Sequence, residues 1–133
     1  MQHADHVALI EHGIADRGGV WADFGSGSGA FTLALADLLG PGARIYSIDR
    51  DRRALQRQQS ELTKVFPGTE LYPLHADFTR PLDLPALDGA VMANSLHFQR
   101  DKDAVLRQIL TYLKPGGRLI LVEYNADRGN HWV

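Results

Sequence analysis

The segment Asp23-Phe24-Gly25-Ser26-Gly27-Ser28-Gly29 sets three glycines at alternate positions between an apolar run and a helical pattern. Before it, Val20-Trp21-Ala22-Asp23-Phe24 is short and apolar apart from one acid, and Phe31 to Leu39 beyond it is rich in apolar residues. A strand that turns sharply into a helix needs positive φ and close backbone approach, which glycine supplies at no steric cost. Strand, turn and helix are therefore predicted here, the opening of a β-α-β unit.

The same alternation continues along the chain. Val7, Ile10 and Ile14 recur at helical spacing and predict an amino-terminal amphipathic helix ended by Gly18-Gly19. Gly40-Pro41-Gly42 closes the helix after the glycine turn, and Arg44 to Ile48 makes a second strand ending at Asp49. A helix follows from about Arg52 to Val65, with Leu55, Leu62 and Val65 inward. Thr69 to His75 reads as a third strand, and Pro73 within it cannot donate to a ladder, which predicts a sheet edge. Phe78 to Leu87 carries two prolines and is expected as loop. Gly89 to Ala93 is the fourth strand and Lys102 to Leu113 a helix; Lys114-Pro115-Gly116-Gly117 is a stop, and Arg118 to Tyr124 is the fifth strand. The expected fold is a doubly wound, mostly parallel α/β sheet of about five strands in the order 3-2-1-4-5, with helices on both faces and right-handed crossovers.

A chain of 133 residues, 44% apolar and 23% charged, suits one globular domain spanning 1–133. Its net charge of -2, with acids and bases mixed along the chain, gives no footprint for nucleic acid or anionic membrane. The absence of cysteine removes disulfides, thiolate metal sites and cysteine nucleophiles together, and no metal site is expected. Met1 to His12 has no continuous apolar run and nothing later approaches a membrane span, so the cytoplasm is the expected location.

In such sheets ligands bind outside the carboxyl ends of the strands. Asp23 and the glycines follow the first strand, Asp49 the second, Asp77 the third and Asn94 the fourth. Gly25, Gly27 and Ala30 also fit the dinucleotide pattern G-x-G-x-x-A, so the turn alone is open to NAD. Asp23 would repel a pyrophosphate and attract an ammonium or sulfonium group. With Asp49 and Asp77 it makes a rim of three acids that suits a cationic nucleoside. The alternative role for Asp23 is to cap the turn through backbone amides. Asp49 lies 20 residues beyond Gly29, the distance at which a β-α-β unit delivers an acid to a ribose diol; alternatively, with Asp51, it starts the second helix.

The chain at this point resembles the class I S-adenosylmethionine-dependent methyltransferases, in particular the small-molecule-type bacterial members. Asp23 to Gly29 is similar to their first motif, Asp49 to the ribose acid, and His75-Ala76-Asp77-Phe78 to the adenine motif. Ala93-Asn94-Ser95-Leu96-His97 resembles the motif after the fourth strand, and Leu113 to Gly117 the last motif. The resemblance implies S-adenosylmethionine as cofactor, with Gly25 and Gly27 near the methionine part and Asp77 accepting from the adenine amino group. It further implies the Phe78 backbone on the ring and Asn94 near the methionine ammonium. Ser26 and Gly29 of the turn, and Arg50 beside the ribose acid, are placed with the cofactor-binding residues. Family members add a sixth and a seventh strand, whereas this sequence runs nine residues past Tyr124. A homodimer through an exposed fifth strand, or a fragment of a longer chain, is the corresponding expectation.

Methyl transfer is a displacement at an already activated sulfonium carbon, so positioning supplies most of the acceleration. If the acceptor must lose a proton, His97 just past the fourth strand is the candidate base, with Tyr124 and Glu123 behind it; otherwise His97 is a loop histidine packed over the cofactor. His3-Ala4-Asp5-His6 reads as a solvated helix start, and Arg50, Arg52 and Arg53 as a charged helix face. Ser26 and Ser28 do not form a nucleophile elbow, because the centre of Gly25 to Gly29 is Gly27. Trp21 and Trp132 are expected to pack. The leading function is methyl transfer to a small-molecule acceptor. A non-catalytic cofactor-binding or dimerisation module and an NAD-binding domain are the alternatives.

Overall fold

The computed structural model describes residues 1–96, 99–125 and 131–132. Its strands are β1 (Val20–Phe24), β2 (Arg44–Asp49), β3 (Glu70–His75), β4 (Leu87–Ala93) and β5 (Leu113–Val122), with a small antiparallel pair, β6 (Tyr124–Asn125) and β7 (His131–Trp132). Its helices are α1 (His3–Ile10), α2 (Ala30–Leu39), α3 (Arg52–Val65) and α4 (Lys102–Leu110). The main sheet has the order β3-β2-β1-β4-β5, every neighbouring pair parallel, as expected. Pro73 lies on β3 at the sheet edge, where its missing amide costs no ladder bond.

Strand alternation divides the core in two. Trp21, Ile45, Val91 and Val122 pack on the face covered by α1 and α2, with Leu62 of α3, against Ile10, Phe31, Leu35 and Leu39. Ala22, Phe24, Ile48, Ala90 and Met92 pack on the other face, against Val105 and Ile109 of α4 and the loop residue Phe78. Because α1 lies over α2, six of the ten α2 residues are buried. In α3 the buried residues Ala54, Leu55, Gln58 and Leu62 form a single stripe. Asp51 caps α3 by accepting from the amides of Arg53 (3.0 Å) and Ala54 (3.2 Å), so the second-helix start falls to Asp51 rather than Asp49.

Several boundaries differ from the sequence expectation: β4 begins at Leu87 rather than Gly89, and β5 ends at Val122, with Tyr124 in β6. The amino-terminal helix runs over His3–Ile10 rather than to Ile14; Asp5 accepts from the Gln2 amide at 2.8 Å, and a 3₁₀ turn over Glu11–Gly13 ends it. α4 stops at Leu110. β5 begins at Leu113, because Leu113 pairs with Leu87 and the register then shifts, so that Arg118 faces Gly89. The Lys114 to Gly117 stop is thereby absorbed as an irregularity within the strand.

Candidate functional site

The turn after β1 is held from below by β2: the amides of Gly25 (2.8 Å) and Ser26 (3.0 Å) both donate to the Ile48 carbonyl. Gly25, Gly27 and Gly29 all have positive φ. At Gly25 an added Cβ would stand 2.8 Å from Ser95 Oγ, and at Gly29 2.4 Å from Gln58 Cγ. Those two positions are closed by the protein's own atoms. At Gly27 a Cβ would meet nothing within 4 Å, so there the turn faces open space.

That space is a cavity of about 260 Å³ at the carboxyl ends of β1 and β4. Asp23, Gly25, Ser26, Gly27 and Asn94 of the expected site line it, together with Phe31 and His6. Asp49, Arg50, Asp77 and Phe78 stand at the neighbouring strand ends outside this lining, and Gly29 sits behind it as the N-cap of α2. Asn94 has a left-handed backbone (φ 56°), and its amide donates to the Val122 carbonyl at 2.7 Å. A second hollow of about 230 Å³ lies at the opposite, amino ends of the strands, beside Trp21, Asp88, Lys114 and Arg118. Asp88 there is already engaged by the Val20 amide (2.8 Å) and Lys114 Nζ (3.1 Å), and in open α/β sheets ligands bind at the carboxyl ends of the strands instead.

Asp23 is 1% exposed. Facing α2 from β1, its Oδ2 accepts from the Thr32 hydroxyl at 2.8 Å, and no ion pair reaches it among the described residues. Burial drives its pKa from the ordinary 3.8 up to about 7; the Thr32 hydrogen bond opposes the rise and the Asp49 charge adds to it. Among the described residues this is a buried acid whose charge meets no cation, at the wall of an open cavity. An ammonium or sulfonium group bound in the cavity would supply such a partner.

Asp49 carries one backbone bond on each oxygen, from Gly27 (3.0 Å) and Asp51 (2.9 Å), which leaves a lone pair on each for a hydroxyl. Asp77 Oδ1 accepts from the Thr79 amide (2.9 Å) and hydroxyl (2.6 Å), and these bonds hold its pKa below the usual carboxylate range. The Phe78 ring is buried against Phe24, edge to face at 6.4 Å, which leaves its backbone rather than its ring for a ligand. The Arg50 side chain is exposed, and its carbonyl is bonded to His75 Nε2 at 2.9 Å. Because the Arg52 guanidinium can only donate to His75 Nδ1 (3.1 Å), the proton of that ring lies on Nε2.

Two residues escaped the sequence argument. His6, expected as part of a solvated helix start, lines the cavity, with its ring edge-to-face on Phe31 at 4.9 Å. Burial is the main cause of its lowered pKa. Gln58 lies beneath the turn, 3% exposed, and donates to Ser26 Oγ (3.0 Å) and to the Gly27 carbonyl (2.5 Å). Both have a periodic signal: His6 stands four residues before Ile10, and Gln58 four residues from each of Ala54 and Leu62. The candidate base His97 lies outside the described residues, as do the side chains of Tyr124 and Trp132.

Among known proteins, the model of the methyltransferase domain family matches residues 15–131. The chain belongs to that family. Its cofactor is S-adenosylmethionine, and the buried acid, the open face of Gly27 and the free lone pairs of Asp49 fit that group. This methyltransferase domain is 34% identical over 116 residues to a protein of Methanothermobacter thermautotrophicus named "Probable cobalt-precorrin-6B C(15)-methyltransferase (decarboxylating)"; the match covers 86% of the chain and 56% of the relative. It is 29% identical over 109 residues to an O-methyltransferase of Penicillium expansum, covering 79% of the chain and 38% of that protein. The chain thus spans little more than half the length of these relatives at most. Among solved structures it is similar to TrmN from Thermus thermophilus, with a TM-score of 0.77, 26% identity and coverage of 92% of this chain and 38% of the other. Coclaurine N-methyltransferase bound to N-methylheliamine and SAH shares the fold, with a TM-score of 0.77, 20% identity and coverage of 89% and 34%.

Proposed function

We propose that this domain transfers the methyl group of S-adenosylmethionine directly to a small-molecule acceptor. The observation that carries the reading is Asp23, a buried acid without a cationic partner among the described residues, lining the cavity beside Gly25 and Gly27. Bound there, the cofactor supplies a methyl carbon already activated on a positive sulfur. Asp23 matches positive charge at the methionine end, the glycine turn gives backbone access, Asp49 takes the ribose hydroxyls, and Asp77 accepts from the adenine amino group beside the Phe78 backbone. Arg50, next to Asp49, closes the ribose side, and Asn94 stands near the ammonium group. His6 forms a wall of the methionine end. His97 takes the acceptor's proton where the chemistry needs it removed. Relatives named as O-methyltransferase and as ubiquinone/menaquinone biosynthesis C-methyltransferase support a small acceptor. The absence of cysteine is consistent with a place in the cytoplasm.

The test is incubation with methyl-labelled cofactor and a panel of small phenols, amines and carbon acids. Label transfer to one class, at equal occupancy of cofactor, supports the reading; cofactor binding with no transfer to any acceptor favours a non-catalytic binding module. Unchanged turnover in a His97→Ala variant would remove that residue from the mechanism.

Among the described residues β5 pairs only with β4, and Leu121 on it is 44% exposed. A second copy pairing along that edge is the proposed oligomeric form. Sedimentation at high micromolar concentration should show a dimer that a Leu121→Lys variant loses; a stable wild-type monomer would contradict it.

A further inference from the structure

We propose that Gln58 is a positioning residue that presets the glycine turn before any ligand arrives, an inference resting on the cofactor reading above. The Gln58 side chain reaches out of α3 into a closed ring of hydrogen bonds. Ser47 Oγ lies within hydrogen-bond reach of both Gln58 Oε1 and Ser26 Oγ, the latter at 2.7 Å. A hydroxyl has one proton, so Ser47 donates to Gln58 Oε1 and Ser26 donates to Ser47. Gln58 Nε2 then donates its two protons to Ser26 Oγ and to the Gly27 carbonyl. Flipping the amide would set Oε1 against the Gly27 carbonyl, oxygen to oxygen, so only one orientation satisfies the ring.

The consequence falls on Gly27. Its carbonyl is held by Gln58 while its amide donates to Asp49 Oδ1 at 3.0 Å, so the residue is gripped on both sides. Gly29 rests directly on the Gln58 stem. Three glycines in one turn leave an untethered chain a wide choice of conformations, and ordering it on binding would cost affinity. Gln58 never enters the cavity lining. It acts through Ser26 and Gly27, which do, and it also fixes the spacing between the turn and Asp49.

The test compares wild type, Gln58→Leu and Gln58→Glu with Leu62→Ala, a buried apolar control on the same helix. Each is measured for amide hydrogen exchange at Gly27 without ligand, for S-adenosylhomocysteine affinity by calorimetry, and for melting temperature. Both Gln58 variants should exchange the Gly27 amide and release S-adenosylhomocysteine roughly tenfold more readily, the loss of about two hydrogen bonds. Leu62→Ala should lower the melting temperature and move neither of the other two. A Gln58→Leu protein that melts lower but keeps wild-type exchange and affinity would reduce Gln58 to a structural residue and overturn the proposal. Should the variants fail to fold, wild type alone decides. A Gly27 amide protected without ligand supports presetting, and one protected only on addition of S-adenosylhomocysteine refutes it. A wild type that does not bind S-adenosylhomocysteine refutes the cofactor reading instead, and leaves the ligand-free exchange result standing on its own.

Discussion

Replacing Asp23 with Asn should make this domain more stable at neutral pH while weakening its hold on the cofactor. The native pKa of about 7 lies above the unfolded value of 3.8, so the folded chain binds this proton more tightly. The stabilisation is complete below about pH 4, is lost as pH climbs to about 7, and changes little beyond. The difference corresponds to about 4 kcal/mol. No discount for solvent screening applies to a side chain 1% exposed. Asn keeps the acceptor for Thr32 and cannot ionise, but its amide protons are incompletely satisfied at a cost of about 1–2 kcal/mol. Asp23→Asn should thus be about 2 kcal/mol more stable than wild type near pH 8 and slightly less stable near pH 4.5. Urea unfolding of both proteins across that range, at constant ionic strength, measures the difference, and subtraction cancels the titration of groups not coupled to Asp23. The charge that costs stability is the one expected to hold a cation, so S-adenosylhomocysteine should bind the variant roughly tenfold to a hundredfold more weakly. A wild-type minus variant difference that stays constant from pH 4.5 to 8 would refute the reasoning.

Asp49→Ala removes the bond to the Gly27 amide as well as the ribose acceptor, and should weaken S-adenosylhomocysteine at least tenfold while lowering stability by about 1 kcal/mol, read by calorimetry and urea melts. Gly25→Ala sets a Cβ against Ser95 at positive φ, which should cost about 2 kcal/mol or more in urea unfolding; a variant as stable as wild type would mean the turn is not built as described. His6→Ala gives up the ring contact with Phe31 at the cavity wall and should raise the dissociation constant for S-adenosylhomocysteine about threefold to tenfold, with faster release in stopped flow.

The glycine turn was legible in the sequence because a sharp strand-to-helix turn needs the positive φ that glycine supplies, and Pro73 placed β3 at the sheet edge by what it cannot donate. The limits of α1 and β5 were not legible, because each is decided by a distant or unusual partner. Asp5 reaches back to the Gln2 amide, and Leu113 finds Leu87 across the sheet. In β5 the sequence -Lys-Pro-Gly-Gly- looks like an end, while the fold tolerates it as a register shift. Asp23 was legible as a buried acid from its place in a central strand, but its bond to Thr32 required the packing of α2 over β1. Gln58 was hidden by its neighbours, since α3 is polar along most of its length. Only the phase set by Ala54, Leu55 and Leu62 separates Gln58 from Gln56 and Gln59. His6 was hidden in the same way by the polar start of α1.

Calorimetric titration of the wild-type chain with S-adenosylmethionine, S-adenosylhomocysteine and NAD tests the cofactor site most directly. One site per chain is expected for each of the two adenosyl ligands and no heat of binding for NAD, with the adenosyl affinity weakened at least tenfold in Asp49→Ala. Binding of NAD with no response to either adenosyl ligand would contradict it.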